Sequence, residues 1–127
     1  MQVLLVDDNP LMQQVISRFL MSQGYVVDVA GDAQEALRFA RQRSYRLLMI
    51  DMRLPDQDGP VLLGHLRALP GCTNCPAIAV SGLGEDDLDK TIDAGFESFF
   101  AKPIDLDELL ATVHRYIGTP TVRALGK

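Results

Sequence analysis

Val3-Leu4-Leu5-Val6-Asp7-Asp8-Asn9-Pro10-Leu11 is the stretch from which the fold can be read. Four apolar residues run straight into two carboxylates, and Asn and Pro follow. A short apolar run bounded by polar residues fits a buried strand. Asn suits a helix N-cap, and Pro suits the first helical position, where no backbone donor is needed. The stretch therefore predicts a strand that passes directly into a helix, with carboxylates at the junction. The same arrangement recurs downstream. Asp51 follows Leu47-Leu48-Met49-Ile50, Ser81 follows Ala77-Ile78-Ala79-Val80, and Lys102 follows Phe99-Phe100-Ala101. If these runs are parallel strands, all four polar sites lie on one edge of one sheet.

The segments between the runs have helical periodicity. Leu11, Val15, Ile16, Phe19 and Leu20 predict the buried face of the first helix, and Gly24 predicts its stop. Tyr25 to Ala30 reads as a second strand, with Asp28 marking an edge position. Asp32 and Glu35 have capping-box spacing and open a second helix that runs to about Arg43. A polar loop from Asp51 to Gly59 leads to a third helix near Pro60 to Leu69. Asp86 to Ala94 reads as a short fourth helix, stopped by Gly95. Asp105 and Glu108 open the last helix, whose stripe is Leu106, Leu109, Leu110, Val113 and Ile117. Five β/α units in strict alternation predict one parallel sheet with helices on both faces. The expected organisation is a single α/β domain over residues 1–118 with a short tail at 119–127.

The 127 residues suit one ordinary domain, and 47% of them are apolar, enough for one core. A net charge of -5 argues against nucleic-acid binding, which rests on clustered Lys and Arg. No apolar run approaches the ~20 residues of a membrane span. Neither the basic start nor the cleavage site of a signal peptide is visible. Two cysteines do not make a secreted disulfide framework. The expected location is cytoplasmic.

The chemistry follows from the conjunction of sites, since each alone has a bland reading as a cap, turn or loop residue. Ligands in an open α/β sheet bind beyond the carboxyl ends of the strands. Three carboxylates meeting there repel one another and call for a cation. Oxygen-only ligands favour a hard ion, and Mg²⁺ leaves room for water and phosphoryl oxygens. Lys102 adds a charge for an anion, and Ser81 a hydrogen bond. An Asp beside Mg²⁺ and Lys can act as a nucleophile toward phosphorus.

With these motifs in place, the sequence resembles the receiver (response-regulator) domains of two-component phosphorelays. The carrying motifs are Leu4-Leu5-Val6-Asp7-Asp8-Asn9, Asp51-Met52-Arg53-Leu54-Pro55-Asp56-Gln57-Asp58-Gly59, Val80-Ser81-Gly82 and Phe99-Phe100-Ala101-Lys102-Pro103. The resemblance covers Val3 to about Ile117. It implies a flavodoxin-like (βα)5 fold, doubly wound, with strand order 2-1-3-4-5. It also implies that Asp51 is the phosphoacceptor and that Asp8, Asp51 and the Arg53 backbone carbonyl bind Mg²⁺. Asp7 would act through a water ligand, and Lys102 would hold a phosphoryl oxygen. The peptide before Pro103 would be cis. Ser81 and Phe99 match the switch pair, Phe99 standing where many members carry Tyr. Arg53 and Leu83 would border the path of attacking water, and an apolar Leu83 implies slow self-dephosphorylation.

The implied partners are a histidine kinase or histidine phosphotransfer protein and a downstream protein. The latter would meet the face made by the fourth helix, fifth strand and fifth helix. The implied role is a signalling phosphoacceptor rather than an enzyme with separate substrate turnover. The texture of the first and last motifs is similar to receivers carried by hybrid sensor histidine kinases. No dimerisation pattern is evident around residues 85–94, so a monomer is expected. Other functions remain open at this point: a degenerate receiver that only binds partners, a small Mg²⁺-dependent phosphatase and a flavin-binding domain. The D-x-D pattern of the second and the phosphate loop of the third are missing. Asp56 and Asp58 read as a solvated loop, with Asp58-Gly59 as a turn. Cys72-Thr73-Asn74-Cys75 reads as incidental, and His65 and His114 as surface residues.

Overall fold

Strand order in the computed structural model is β2-β1-β3-β4-β5, with every neighbouring pair parallel. The structure describes residues 3–82 and 91–119. Its elements, in chain order, are β1 (Val3–Val6), α1 (Pro10–Ser22), β2 (Val27–Ala30), α2 (Ala33–Gln42) and β3 (Leu47–Asp51). There follow α3 (Gly59–Arg67), a 3-10 turn (Pro70–Cys72), β4 (Ala77–Ser81), a helical segment at 91–94 (α4), β5 (Ser98–Ala101) and α5 (Leu106–Ile117). The fold is the flavodoxin-like (βα)5 arrangement. The start of the predicted fourth helix, and Leu83, lie outside the described residues.

All residues of the three central strands β1, β3 and β4 are buried, as a parallel sheet covered on both faces requires. Strand alternation sorts their side chains into two layers. Leu4, Val6, Leu48, Ile50 and Ala79 pack under α2 and α3, beside Ala36, Leu62 and Leu66. Val3, Leu5, Met49, Ile78 and Val80 pack under α1 and α5, beside Ile16, Leu20, Leu109 and Val113. In β5 the two rings part company: Phe99 joins the first layer and Phe100 the second.

The helix ends follow local chemistry. Asn9 Oδ1 accepts from Leu11 N at 2.9 Å and Met12 N at 3.3 Å, with Pro10 at the first helical position. Asp105 Oδ1 accepts from Asp107 N at 3.0 Å and Glu108 N at 3.2 Å. Gly24 has φ 97° just beyond α1, a conformation that costs glycine little. Asp28 does lie on an edge strand, where its Oδ2 accepts from Arg43 Nη1 at 2.8 Å and Tyr45 Oη at 2.7 Å.

The sequence reading needs correction at α1 and at the start of α3. Leu11 and Val15 are not on the buried face of α1: they are 67% and 39% exposed. Met12, Ile16 and Leu20 form the inward i, i+4 row, and the row through Leu11 and Val15 is turned roughly 100° away. Asp58-Gly59 is not a free turn either. Asp58 is the N-cap residue of α3, and Gly59 is its first helical residue.

Candidate functional site

The strand ends bring the predicted residues to one edge. Asp7 extends β1 by one rung, since its N donates to Ala30 O at 3.1 Å. Its Oδ1 accepts from Asn9 N at 2.9 Å, and its carbonyl accepts from Gln13 Nε2 at 2.6 Å. The side chain is thus fixed by the Asn9 amide and the backbone by Gln13 of α1. Asp51 closes β3. Its Oδ1 accepts from Arg53 N at 3.0 Å and its Oδ2 from Lys102 Nζ at 3.1 Å. Lys102 enters on the backbone of β5, where its N donates to Ser81 O at 2.8 Å. Lys102 Nζ also stands 3.3 Å from Asp7 Oδ2. The Lys102–Pro103 peptide is cis.

Asp7, Asp8 and Asp51 each bring a carboxylate oxygen within 4.8 Å of the others. Asp7 is 1% exposed and Asp51 7%, whereas Asp8 opens to solvent. Burial raises the Asp7 carboxyl above its ordinary range; the Asn9 amide pulls the other way, and the charge of Asp51 adds to the rise. Burial alone would lower the Lys102 ammonium, but its bond to Asp51 and the charges of Asp51 and Asp7 outweigh that and raise it. When ionised, three carboxylates against one ammonium leave two negative charges. That donor set, all oxygen and doubly negative, fits a hard divalent cation.

The loop from β3 to α3 supports this edge. Gly59 N donates to Met52 O at 2.9 Å, and Arg53 and Asp58 form an isolated antiparallel bridge. A Cβ on Gly59 would lie 2.7 Å from Asp51 O and 2.9 Å from Met52 Cα, so the loop needs glycine there. Asp56 is not simply solvated: it accepts from Ala33 N at 2.9 Å and Gln34 N at 3.0 Å, at the start of α2. The structural roles of Gln13, Asp56 and Gly59 escaped the sequence reading. An amide-bearing residue one turn into α1 was a weak signal for Gln13, and Asp-Gly at a helix start for Gly59. Asp56 gave none, because its partners are 22 and 23 residues away.

Ser81 ends β4 beside Asp51's strand and is 1% exposed. Phe99 lies on β5 opposite Ala79, half-buried in the layer under α2 and α3. Thr91 of α4 is buried, and its hydroxyl donates to the Met52 sulfur at 3.7 Å. Cys72 and Cys75 are free, buried thiols on the flank of the 3-10 turn, and Cys75 Sγ donates to Tyr45 O at 3.2 Å. His65 is exposed, and the His114 ring lies 5.9 Å from that of Tyr25, tilted by 41°. None of these four is among the residues drawn together at the acidic edge.

Comparison with known proteins gives a consistent picture. The family model for the response regulator receiver domain matches residues 3–114. The uncharacterized 14.6 kDa protein in the sodA1 3' region of Leptolyngbya boryana is 35% identical over 91% of this chain and 89% of its own. The transcriptional regulatory protein HprR of Escherichia coli is 32% identical over 89% of this chain, which spans 50% of that regulator. Among solved structures, the receiver domain of the sensor histidine kinase PA1611 from Pseudomonas aeruginosa superposes with a TM-score of 0.85. It is 34% identical over 93% of this chain and 98% of its own, and was determined with a magnesium ion coordinated in its active-site cleft.

Proposed function

The chain belongs to the response regulator receiver domain family and is a phosphoacceptor signalling domain, and from that premise we propose that Asp51 takes the phosphoryl group from a phosphohistidine. The observation that carries this assignment is the double hold on its carboxylate, by the Arg53 amide and by Lys102 Nζ, inside the acidic cleft. Asp51 attacks in line as the P–N bond to the donor imidazole breaks. The electron pair returns to the imidazole nitrogen, and an acyl phosphate forms on Asp51. Positioning and neutralisation are most of what such a transfer requires.

Mg²⁺ is the cation this reading assigns; Asp8, Asp51 and the Arg53 carbonyl would hold it, and Asp7 would act through water. When bound, it neutralises charge on the transferring phosphoryl oxygens. Lys102 leaves Asp51 for a phosphoryl oxygen, since its ammonium already stands among the carboxylates. Ser81 turns its hydroxyl toward the new group, and the Phe99 ring moves inward behind it. The Thr91–Met52 contact supports α4 as a receiver of the change, because it joins that helix to the residue after Asp51. The face of α4, β5 and α5 then meets the downstream protein.

The donor is a histidine kinase or histidine phosphotransfer protein. PA1611 is itself a sensor kinase with a receiver, which supports the hybrid-kinase context. The chain spans about half the length of the transcriptional regulators it matches, so an output is assigned to no part of it. Residues 1–118 form the receiver unit in this reading and 119–127 a tail. The protein is assigned to the cytoplasm as a monomer before phosphorylation; no described helix is long and apolar enough to cross a membrane.

Treatment with acetyl phosphate or beryllofluoride in Mg²⁺ tests the assignment. Wild type should gain the modification and Asp51→Asn should not. An unmodified wild type, or an Asp51→Asn variant modified equally, overturns it. The first result would also favour a degenerate receiver that only binds partners.

A further inference from the structure

The β3–α3 loop is closed at its base and tied at its tip. The base is the Gly59–Met52 bond and the Arg53–Asp58 bridge. Leu54 is buried under α2 and α3, which leaves Asp56 as the charged group of the tip. Its carboxylate crosses to α2 and takes the amides of Ala33 and Gln34 on its two oxygens. We propose that Asp56 is a positioning residue for the cation site: it anchors the loop to α2 and so fixes where the Arg53 carbonyl stands. The inference rests on the metal site proposed above.

The start of α2 shows why this bond matters to the loop more than to the helix alone. A helix leaves its first amides without internal partners, and its positive end favours a carboxylate. Asp32 already supplies a local cap, accepting from Glu35 N at 2.8 Å, while Ala36 N reaches Asp32 O at 3.1 Å. Glu35 Oε1 in turn accepts from Gly31 N at 2.7 Å. Asp56 serves the two remaining amides from a distant segment. The Ala33 amide first, then that of Gln34, holds its carboxyl below the ordinary range. Two carboxylates thus cap one helix, and of the two it is Asp56 that ties it to the loop carrying Arg53.

That division supplies a control. Asp56→Ala removes cap and tether together; Asp32→Ala removes a cap and leaves the tether. The readouts are Mg²⁺ affinity by calorimetric titration, thermal stability, and amide hydrogen exchange without metal. Asp56→Ala should weaken Mg²⁺ binding about tenfold, in the range seen when outer partners of metal ligands are removed. It should also speed exchange at the Gly59 amide. Asp32→Ala should lower the melting temperature comparably with Mg²⁺ affinity and Gly59 exchange unchanged. Asp56→Asn keeps one acceptor oxygen and should fall between wild type and Asp56→Ala; it carries the test if the alanine variant does not fold. Wild-type Mg²⁺ affinity in the Asp56 variants, or an equal loss in Asp32→Ala, overturns the inference while leaving the metal site standing. A wild-type chain that binds no Mg²⁺ overturns both.

Discussion

Two glycines of α3 make the same substitution report opposite signs. Gly59 and Gly64 both lie in this helix, and neither has positive φ. Alanine is favoured over glycine in helices by roughly 0.5–1 kcal/mol. At Gly64 an added methyl meets nothing within 4 Å, so Gly64→Ala should stabilise the domain by about that amount. At Gly59 the methyl would stand 2.7 Å from Asp51 O, where ordinary contact begins near 3.4 Å, a shortfall of about 0.7 Å. Both blocking atoms belong to backbone at the end of β3, so no side chain can rotate away. Overpacking of this kind costs roughly 1–3 kcal/mol, which outweighs the helical gain. Urea unfolding of the two variants beside wild type measures both signs. Relief of the clash must also move the Asp51 backbone. A displacement of ~1 Å in a reacting group can cost about 10²-fold, so a shift near half of that should slow labelling by acetyl phosphate about tenfold. Gly64→Ala should label at the wild-type rate. A Gly59→Ala protein as stable and as reactive as wild type would refute the claim that this glycine spaces Asp51 from α3.

Asp7→Asn removes a charge that burial disfavours while keeping the side chain's shape; it should raise the melting temperature without metal and abolish the further rise produced by Mg²⁺, both read by thermal denaturation. Tyr45 is 4% exposed and its hydroxyl donates to the Asp28 carboxylate, so Tyr45→Phe should cost roughly 1.5 kcal/mol in urea unfolding with phosphorylation unchanged. The Cys75 thiol is pushed up to about 12, by burial foremost, while an unfolded thiol ionises near 9. Between those values the native state binds more protons than the unfolded one, so stability should fall as pH rises through that window, and less steeply in Cys75→Ala. Both thiols should resist a thiol-specific reagent at pH 8 until the domain is unfolded.

Local chemistry was readable in the sequence. Asn9, Asp32 and Asp105 act on amides two or three residues away, and the strand-end positions of Asp7, Asp51, Ser81 and Lys102 followed from apolar runs alone. Strand order came from the family resemblance, because spacing does not say which strands are neighbours. The face of α1 was misread by one residue: apolar side chains occupy two adjacent rows there, and only contact with the sheet selects between them. Long-range polar bonds left no trace either. Arg67 Nη2 reaches Cys75 O, Gly95 O and Glu97 Oε1, up to 30 residues away, and Asp56 reaches α2. A carboxylate in a polar loop looks the same whether it meets water or a helix end.

The division of the core by the sheet separates two properties that many small domains must tune together. Phe99, Thr91 and Met52 all face or adjoin the layer under α2 and α3, whereas Phe100 and the stripes of α1 and α5 fill the other. On the switch proposed above, substitutions at Ile16 and Leu20 should change heat resistance without touching the layer that holds Phe99 and Met52. Repacking around Phe99 or Met52 should alter both heat resistance and the proposed switch.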